Sequence, residues 1–241
     1  MMRILDDVID SLPHGETQIR EIHVCTNWTA VLSRTCGLAS TVKEEGHPHR
    51  GVRDVGHLTE KSAFELALYS RSENLLEASI GMAAINSLIE IDESTCVEAN
   101  AYEILLEKGR GRNMGVVGHF PFISLLKESA KKLWVIEKRP LEGDLPEEAA
   151  EKILPQCDVV GITGTTFINH TLEDLLARCR GSFVALIGPT TPLTHVLFDY
   201  GIDVISGSKV VEPQKVIRFI SQGATFKELH HHGVKLLTMM R

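Results

Sequence analysis

A regular alternation of short apolar runs and helical segments begins after Gly111 and leaves few folds open to this chain. The apolar runs are NMGVVG, KLWVIE, CDVVGIT, SFVALIG and IDVISG. Between and after them lie ISLLKESAKK, PEEAAEKIL, TLEDLLARC, a short stretch near LTHVLFD, and PQKVIRFIS, all of which favour helices. Strands alternating with helices at this interval predict βαβ units with right-handed crossovers. We therefore expect an α/β, Rossmann-like, three-layer domain with a parallel sheet covered on both faces.

The chain before this alternation has a different pattern. Its first residues place apolar side chains on one helical face, and two runs with strand character, QIREIHVCT and TAVLS, then bracket Asn27 and Trp28. The helical stretches SAFELALYS and LLEASIGMAAINSLI follow, and a further helix is expected over residues 97–108. Strands followed by helices predict an α+β domain. The change of pattern places the junction at residues 107–112, which divides the chain into domains 1–108 and 109–241.

Composition excludes several classes of protein. The 241 residues carry a net charge of −7, which argues against a general nucleic-acid or anionic-membrane binder. The sequence contains no apolar run of the roughly 18–20 residues that a membrane span needs, and MMRILDDVIDSL is unlike a signal peptide. The five cysteines have no CxxC spacing, so neither a disulfide framework nor a zinc knuckle is indicated. We expect a soluble cytoplasmic protein, with a homo-oligomer as an open alternative.

Ligands of open parallel sheets bind outside the carboxyl ends of the strands. The loops expected there are glycine-containing, and most carry hydroxyl groups or proline: Gly118-His119-Phe120-Pro121, Thr163-Gly164-Thr165-Thr166, Gly188-Pro189-Thr190-Thr191-Pro192 and Ser206-Gly207-Ser208. Each loop alone is also explained as a tight βα turn. The four together predict a ligand crevice at one edge of the sheet.

The loop Thr163–Thr166 is the strongest candidate for an anion site. A glycine and hydroxyl groups that open a helix present free backbone N–H groups to a phosphate or carboxylate. Helix capping by threonine is the alternative. Glu137, 19 positions after Gly118, stands where Rossmann domains place an acid for a ribose hydroxyl. The sequence has neither a GxGxxG nor a Walker A motif, and a carboxylate paired with Lys138 or Arg139 explains Glu137 equally well.

His119 is the candidate catalytic and metal-binding residue, because a side chain on the first βα turn faces the crevice. An imidazole there suits a general base or a metal ligand, although packing at the turn is the alternative. His47, His49 and His57 share a polar loop at spacings that match no standard metal site. The run from His230 to His232 is interpreted as a solvated tail. Asn27, Trp28 and Asn86 are polar or aromatic side chains that could line a pocket.

The sequence also resembles a known family. The stretches HVCTNWTAVLSR, CGLAST, NLLEASIGMAAINSLI, GVVGHFPF, VVGITGTTFINHTLEDLL and GPTTPL, in this order, resemble the bacterial and archaeal family of heavy-metal-chelation proteins. The resemblance covers nearly the whole chain. It implies an enolase-N-terminal-like α+β domain joined to a Rossmann-like domain, with a site where the two meet. The cleft residues that it implies are Asn27, Trp28, Asn86, Gly118, His119, Phe120, Pro121, Thr163, Gly164, Thr165, Thr166, Asn169, Gly188, Pro189, Thr191 and Pro192.

The leading functional hypothesis is binding of a small anionic or metal-chelating molecule in an interdomain cleft. It connects the chain to heavy-metal chelation in tetrapyrrole, corrinoid or siderophore-like metabolism, with a divalent metal or a metallated ligand as the expected cofactor. The expected partner is a small molecule, with no nucleic acid and no membrane. A nucleotide-cofactor enzyme, such as a methyltransferase-like transferase that uses Glu137, is the alternative. A non-catalytic small-molecule sensor is a further one.

Overall fold

The computed structural model describes residues 2–43, 51–97 and 101–241. Within these ranges, no helix is both long and apolar enough to cross a lipid bilayer. The described strands form two sheets, one of three strands and one of seven. The strands on either side of the predicted junction lie in different sheets.

The first part of the chain combines the small antiparallel sheet with helices. Its elements are α1 (Arg3–Asp10), β1 (Glu21–Val24), β2 (Trp28–Leu32), β3 (Cys36–Ser40), α2 (Ala63–Ala67), α3 (Leu75–Leu88) and α4 (Ala101–Gly109). The apolar face predicted for α1 is buried. The strands are ordered β1-β2-β3. The sequence pattern does not predict a strand at residues 36–40, and Trp28, expected between two strands, is the first residue of β2.

Two glycines allow α3 to pack closely on its neighbours: Gly37 lies in β3, and Gly81 of α3 faces the 3₁₀ helix Leu68–Arg71. A Cβ at Gly37 would lie 2.0 Å from the carbonyl oxygen of Ala83, and one at Gly81 would lie 1.9 Å from the backbone nitrogen of Ser70. Only glycine fits at such distances. Glycine at these two positions therefore allows the backbone of α3 to approach β3 and the 3₁₀ helix closely.

The second part of the chain forms the large sheet. Its elements are β4 (Asn113–Val117), α5 (Ile123–Ser129), β5 (Lys132–Glu137), β6 (Leu145–Pro146), α6 (Ala150–Ile153), β7 (Val159–Thr163), α7 (Leu172–Arg178), β8 (Phe183–Ile187), β9 (Val204–Val210), α8 (Pro213–Ser221), α9 (Phe226–His231) and β10 (Val234–Met240). The helix predicted after Pro146 is α6 flanked by 3₁₀ turns. The stretch near LTHVLFD is a 3₁₀ helix, His195–Tyr200.

The strand order is β10-β9-β8-β7-β4-β5-β6. The strands from β4 to β9 are parallel, and β10 is antiparallel to β9. Counted along the chain, the parallel strands have the order 3-2-1-4-5-6 of the doubly wound dinucleotide-binding fold, whose topological switch point is between β4 and β7. The predicted α/β class and Rossmann-like sheet are confirmed.

Strand β10 also corrects one expectation. Ser206-Gly207-Ser208 is not a loop, because β9 continues to Val210 with β10 paired along it, and Gly207 lies opposite Leu237. The glycine is needed for another reason, since a Cβ there would lie 2.7 Å from the carbonyl oxygen of Thr191.

The sheet separates two layers of apolar packing. Side chains such as Val116 and Val159 pack on one face with Leu105 of α4. Their strand neighbours, such as Val160, pack on the other face in a cluster that also contains Ile4 and other buried side chains of the first part of the chain. Helix α4 therefore packs on the large sheet, while the domain boundary at residue 108 stays a prediction.

Candidate functional site

The carboxyl ends of β4, β7 and β8 open onto a cavity of about 680 Å³. Gly118 follows β4, Gly164 follows β7 and Gly188 follows β8, and all three line this cavity. These glycines therefore lie on one edge of the sheet, at the topological switch point. Gly118 has a φ of +104°, a left-handed conformation that glycine adopts without strain and that turns the chain at the end of β4.

Aromatic rings form much of the cavity wall. Phe120 and Phe122 are stacked, with their ring centroids 5.1 Å apart, and Tyr102 of α4 lies 5.9 Å from Phe122. Trp28 and Phe226 form a second pair at 5.8 Å. Such rings offer flat apolar surfaces to a bound ring system.

His119 lies in the cavity wall beside a carboxylate that sequence analysis missed. Its Nδ1 lies 3.0 Å from Oδ2 of Asp144, whose side chain is 5% exposed while that of His119 is 39% exposed. The same Oδ2 accepts a hydrogen bond from the backbone N–H of Leu141 at 3.0 Å. The pair fixes the imidazole at the cavity, as carboxylates fix functional histidines elsewhere.

Helix α9 brings basic groups to the opposite side of the cavity. Lys227 and His230 line it together with Phe226, which is stacked on the His230 ring at 6.4 Å. Residues 230–232 do not form a tail, because His230 lies in α9 and β10 follows, but His230 is solvent-exposed as well as lining the cavity. Its position depends on α9 and β10, which sequence analysis did not identify.

Trp28 has two roles, whereas Asn27 has one. The Trp28 Nε1–H donates to the carbonyl of Ala224 at 2.9 Å, and the ring faces the cavity. The Asn27 amide donates to the carbonyls of Gly223 and Ala224 at 3.0 and 3.2 Å, and the residue does not line the cavity. Both side chains hold the start of β2 against the turn between α8 and α9.

Asn86 holds in place a loop that lines the cavity. Its amide donates to the carbonyls of Leu38, Pro189 and Thr190 at 2.9, 3.3 and 3.2 Å. The Thr190 hydroxyl also accepts from the backbone N–H of Ser40 at 3.0 Å. Asn86 therefore ties the loop after β8 to β3 and α3, and it lies outside the cavity lining.

The loop after β7 has the hydrogen bonds of a threonine cap. The Thr163 hydroxyl accepts from the backbone N–H of Thr165 at 3.3 Å, and the Thr166 hydroxyl donates to the Thr163 carbonyl at 2.7 Å. A Cβ at Gly164 would lie 2.4 Å from Oγ1 of Thr191, so only glycine leaves room here for the loop that follows β8. Anion binding by the loop stays a prediction.

Glu137 ends β5 and connects the main cavity to a second one. The second cavity, of about 370 Å³, shares Gly118, Glu137, Thr163 and Thr165 with the first. Its own lining has four acids, which outnumber the bases Lys138 and Arg178, and it also has polar Thr and Asn side chains: Glu147, Glu148, Glu151, Asp174, Thr166, Asn169 and Thr171. The structure thus places two differently charged spaces at one switch point.

The structure brings many of the predicted site residues together, but not all of them. Those in the main cavity are Trp28, Gly118, His119, Phe120, Pro121, Glu137, Thr163, Gly164, Thr165, Gly188 and Pro189. Thr166 and Asn169 line only the second cavity, and Asn27, Asn86, Thr191 and Pro192 line neither. Asp144, Lys227 and His230 were not predicted as site residues, and the only sequence signal for them was their ionisable side chains.

The described donor set does not fit a resident metal ion. Within residues 2–43, 51–97 and 101–241, no three His, Cys, Asp or Glu side chains are grouped closely enough to hold one. His119 offers one imidazole nitrogen to the cavity, whereas a structural or catalytic zinc site uses at least three protein ligands. His57 pairs with Glu60 at 2.9 Å, and His47 and His49 lie outside the described residues.

Comparisons with known proteins agree with this architecture. Residues 5–89 and 100–239 match two family profiles, both described as "Putative heavy-metal chelation". An uncharacterized protein of Methanocaldococcus jannaschii is 30% identical over 207 residues, which cover 80% of this chain and 78% of that protein.

Two solved structures are also similar. A DUF364-family protein with unknown function from Desulfitobacterium hafniense DCB-2 has a TM-score of 0.89 and 29% identity, and the match covers 100% of this chain and 99% of that one. Another from Pyrococcus horikoshii has a TM-score of 0.83 and 20% identity, with 100% of each chain covered, and shows the shared fold alone.

Proposed function

The chain belongs to the family described as putative heavy-metal chelation, and from that premise we propose that its main cavity binds a small, anionic, ring-bearing molecule able to chelate a metal. The observation that carries the proposal is one cavity in which aromatic walls face Lys227, His119 and His230. The metabolic setting that suits such a ligand is the handling of tetrapyrroles, corrinoids or siderophore-like compounds.

An unpaired lysine in the cavity favours an anion. No carboxylate of the described chain pairs with Lys227, so its ammonium group is available to a ligand. Glu137 is the one acid among the described lining residues, so the formal charges of Lys227 and Glu137 cancel and the preference for an anion is local to Lys227. The carboxylate of Asp144 is hydrogen-bonded to Nδ1 of His119. An ammonium group without a protein partner pairs well with a carboxylate or phosphate of a bound ligand.

The shape and the wall chemistry favour a ring. Cavities of roughly 300–1,000 Å³ hold small organic ligands, and most are lined by apolar side chains with a few polar groups that fix orientation. The 680 Å³ cavity has this character, with Leu125, Ile187 and Leu236 beside the aromatic rings. A planar ligand would stack on Phe120 or Trp28 and present its acidic group to Lys227.

We propose that a metal enters this cavity on the ligand. Three grouped protein ligands are lacking among the described side chains, so the chelating atoms would come from the bound molecule. The Nε2 atom of His119 would then supply one further nitrogen to that metal.

Isothermal titration calorimetry tests the proposal with two probes. 2,3-Dihydroxybenzoate combines a ring, a carboxylate and chelating hydroxyl groups, and coproporphyrin is a larger planar carboxylate. We expect saturable binding of at least one probe. Lys227→Ala should weaken it roughly tenfold, or about 1.4 kcal/mol. Lys215→Ala is the matched control, because Lys215 pairs with Glu212 outside the cavity. Absence of binding by both probes, or equal loss in both variants, would contradict the proposal.

A nucleotide cofactor is a second candidate, favoured by one observation. Glu137 lies at the carboxyl end of β5 and borders both cavities, which is the position of the ribose-binding acid in Rossmann domains. Titration with S-adenosylmethionine separates the candidates. Binding that Glu137→Gln abolishes and Lys227→Ala leaves intact would favour the nucleotide over the anionic ring compound.

A further inference from the structure

The turn that carries Asp144 is built to hold a carboxylate against His119. The backbone N–H of Asp144 donates to the carbonyl of Leu141 at 3.0 Å, and its Oδ2 accepts from the N–H of Leu141 at 3.0 Å. Gly143, with a φ of +92°, completes this turn. The carboxylate is therefore fixed by its own backbone, and with His119 against it the side chain is only 5% exposed.

The partner of Nδ1 decides which nitrogen of His119 is available. A carboxylate accepts hydrogen bonds, so the neutral ring donates its Nδ1–H to Asp144 and keeps its lone pair on Nε2. In the described part of the chain no group hydrogen-bonds to Nε2, and the residue lines the cavity. A lone pair held in this way is what a general base requires.

We propose that the main cavity is an active site in which His119 transfers a proton, with Asp144 as its positioning residue. When the bound ring compound carries no metal, the lone pair of Nε2 is available and takes a proton from a C–H, N–H or O–H group of that compound, and the electron pair of the broken bond stays on the compound. The imidazolium formed is stabilised by the Asp144 carboxylate, and the proton then returns to the product or to water. This activity goes beyond binding.

The placement of Lys227 supports such a step. Negative charge develops on the compound that loses the proton, and the Lys227 ammonium group lines the same cavity as His119. A positive charge beside that compound lowers the barrier, because it stabilises the charge that develops in the transition state. The step uses this chain's own side chains throughout.

A base in a cavity can be assayed without the natural substrate. 5-Nitrobenzisoxazole is a flat bicyclic compound. When a base removes its ring C–H proton, the nitrile forms, the N–O bond breaks, and a coloured phenolate is released. We expect wild-type protein to accelerate this reaction and His119→Ala to lower kcat/KM by at least roughly tenfold. His57→Ala is the control, because His57 pairs with Glu60 on the surface.

Asp144→Asn tests the positioning role separately. In the Ser-His-Asp triad, an amide in place of the buried carboxylate presents an N–H to the imidazole and stabilises the wrong tautomer. We expect Asp144→Asn to lower kcat with KM unchanged. In nitrogen NMR spectra of the neutral imidazole, the proton should move from Nδ1 to Nε2. Unchanged kcat, or a wild-type ring already protonated at Nε2, would overturn the role of Asp144.

The outcomes separate catalysis from binding. Turnover by His119→Ala equal to that of wild type would overturn the proton-transfer proposal, whatever the calorimetry shows. Loss of turnover in His119→Ala, with thermal unfolding and probe binding retained, would support it. Turnover that depends on His119 in a protein that binds neither anionic probe would contradict the proposed ligand class and leave the base supported.

Discussion

Two imidazole–carboxylate pairs in this protein have almost the same length and very different surroundings. His119 and Asp144 lie 3.0 Å apart, and His57 and Glu60 lie 2.9 Å apart, each through Nδ1. The side chain of Asp144 is 5% exposed, whereas His57 and Glu60 are 71% and 70% exposed. A glycine with positive φ precedes each histidine, Gly118 at +104° and Gly56 at +93°.

The difference shows that pairing distance alone does not identify a site. An exposed pair is weakened by water and salt and contributes little to stability. A carboxylate that is buried and fixed by its own turn orients its partner. His119 lines the cavity, so a ligand bound there could contact its second imidazole nitrogen. Two predictions follow from this contrast and a third concerns the helix that carries Lys227 and His230, in order of decreasing effect.

The largest effect is expected at the two glycines. Gly118→Ala forces alanine into a left-handed conformation and places its Cβ 3.0 Å from two side-chain carbons of Thr163. Strain and overpacking together should lower the free energy of unfolding by about 2–4 kcal/mol. A Cβ at Gly56 meets nothing within 4 Å, so Gly56→Ala should cost only about 1 kcal/mol. Urea unfolding measures both, and equal losses would show that the cavity loop is no more tightly packed than the surface one.

A smaller effect is expected at the carboxylates. Asp144→Ala removes the acceptor of the Leu141 N–H and of His119, which should lower the free energy of unfolding by about 1 kcal/mol, because both donors are partly exposed and can bond to water instead. Glu60→Ala should change it by less than about 0.5 kcal/mol. Thermal unfolding at neutral pH measures the loss of stability in both variants. Equal losses in Asp144→Ala and Glu60→Ala would show that the burial of the Asp144 side chain does not strengthen its interactions.

The smallest effect is expected on the stability of the protein at acidic pH. The backbone N–H of Thr225, followed by its hydroxyl, holds the pKa of Glu228 below its usual value of 4.5, at the start of the helix that carries Lys227 and His230. Because the folded pKa is the lower one, the stabilisation is present above the unfolded pKa and is lost as pH falls through the folded value. Glu228→Gln should therefore flatten the loss of stability below about pH 4.5. The urea midpoint measured from pH 7 to pH 3 checks this, and a steep loss kept by the variant would refute it.

Ser62 provides the matched surface case. It holds the pKa of Glu65 below its usual value through the same backbone and hydroxyl hydrogen bonds, at the start of α2. Glu65→Gln should flatten the same acid range while leaving probe binding in the main cavity unchanged, because α2 contributes no lining residue.

Sequence patterns identified the large sheet because buried parallel strands are near-continuous apolar runs. They did not identify β6, which has two residues, or β10, whose pairing with β9 depends on a long-range contact. Strand β3 was missed because CGLAS is dominated by small residues, whose role is to admit the backbone of α3. The strands that were not predicted are those whose formation depends on tertiary packing and not on local sequence preference.

The same limit applies to the site. Loops at the carboxyl ends of strands were predictable from topology, so His119 and Glu137 were found. Asp144 and Lys227 come from a turn and a helix that only tertiary packing brings to the cavity. Asn86 is predicted to line a pocket, but its amide donates to backbone carbonyls of β3 and of the loop after β8, and the sequence does not distinguish this role from contact with a ligand.

Histidine ring NMR spectra recorded with and without 2,3-dihydroxybenzoate or coproporphyrin test the central claim most directly. If the main cavity is the functional site, the ring signals of His119 and His230 will shift saturably with the probe, and those of His57 will stay in place. If the His57 signals shift as much as those of His119, or if those of His119 and His230 do not move at saturating probe, the cavity is not the binding site and the contrast between the two pairs has no functional meaning.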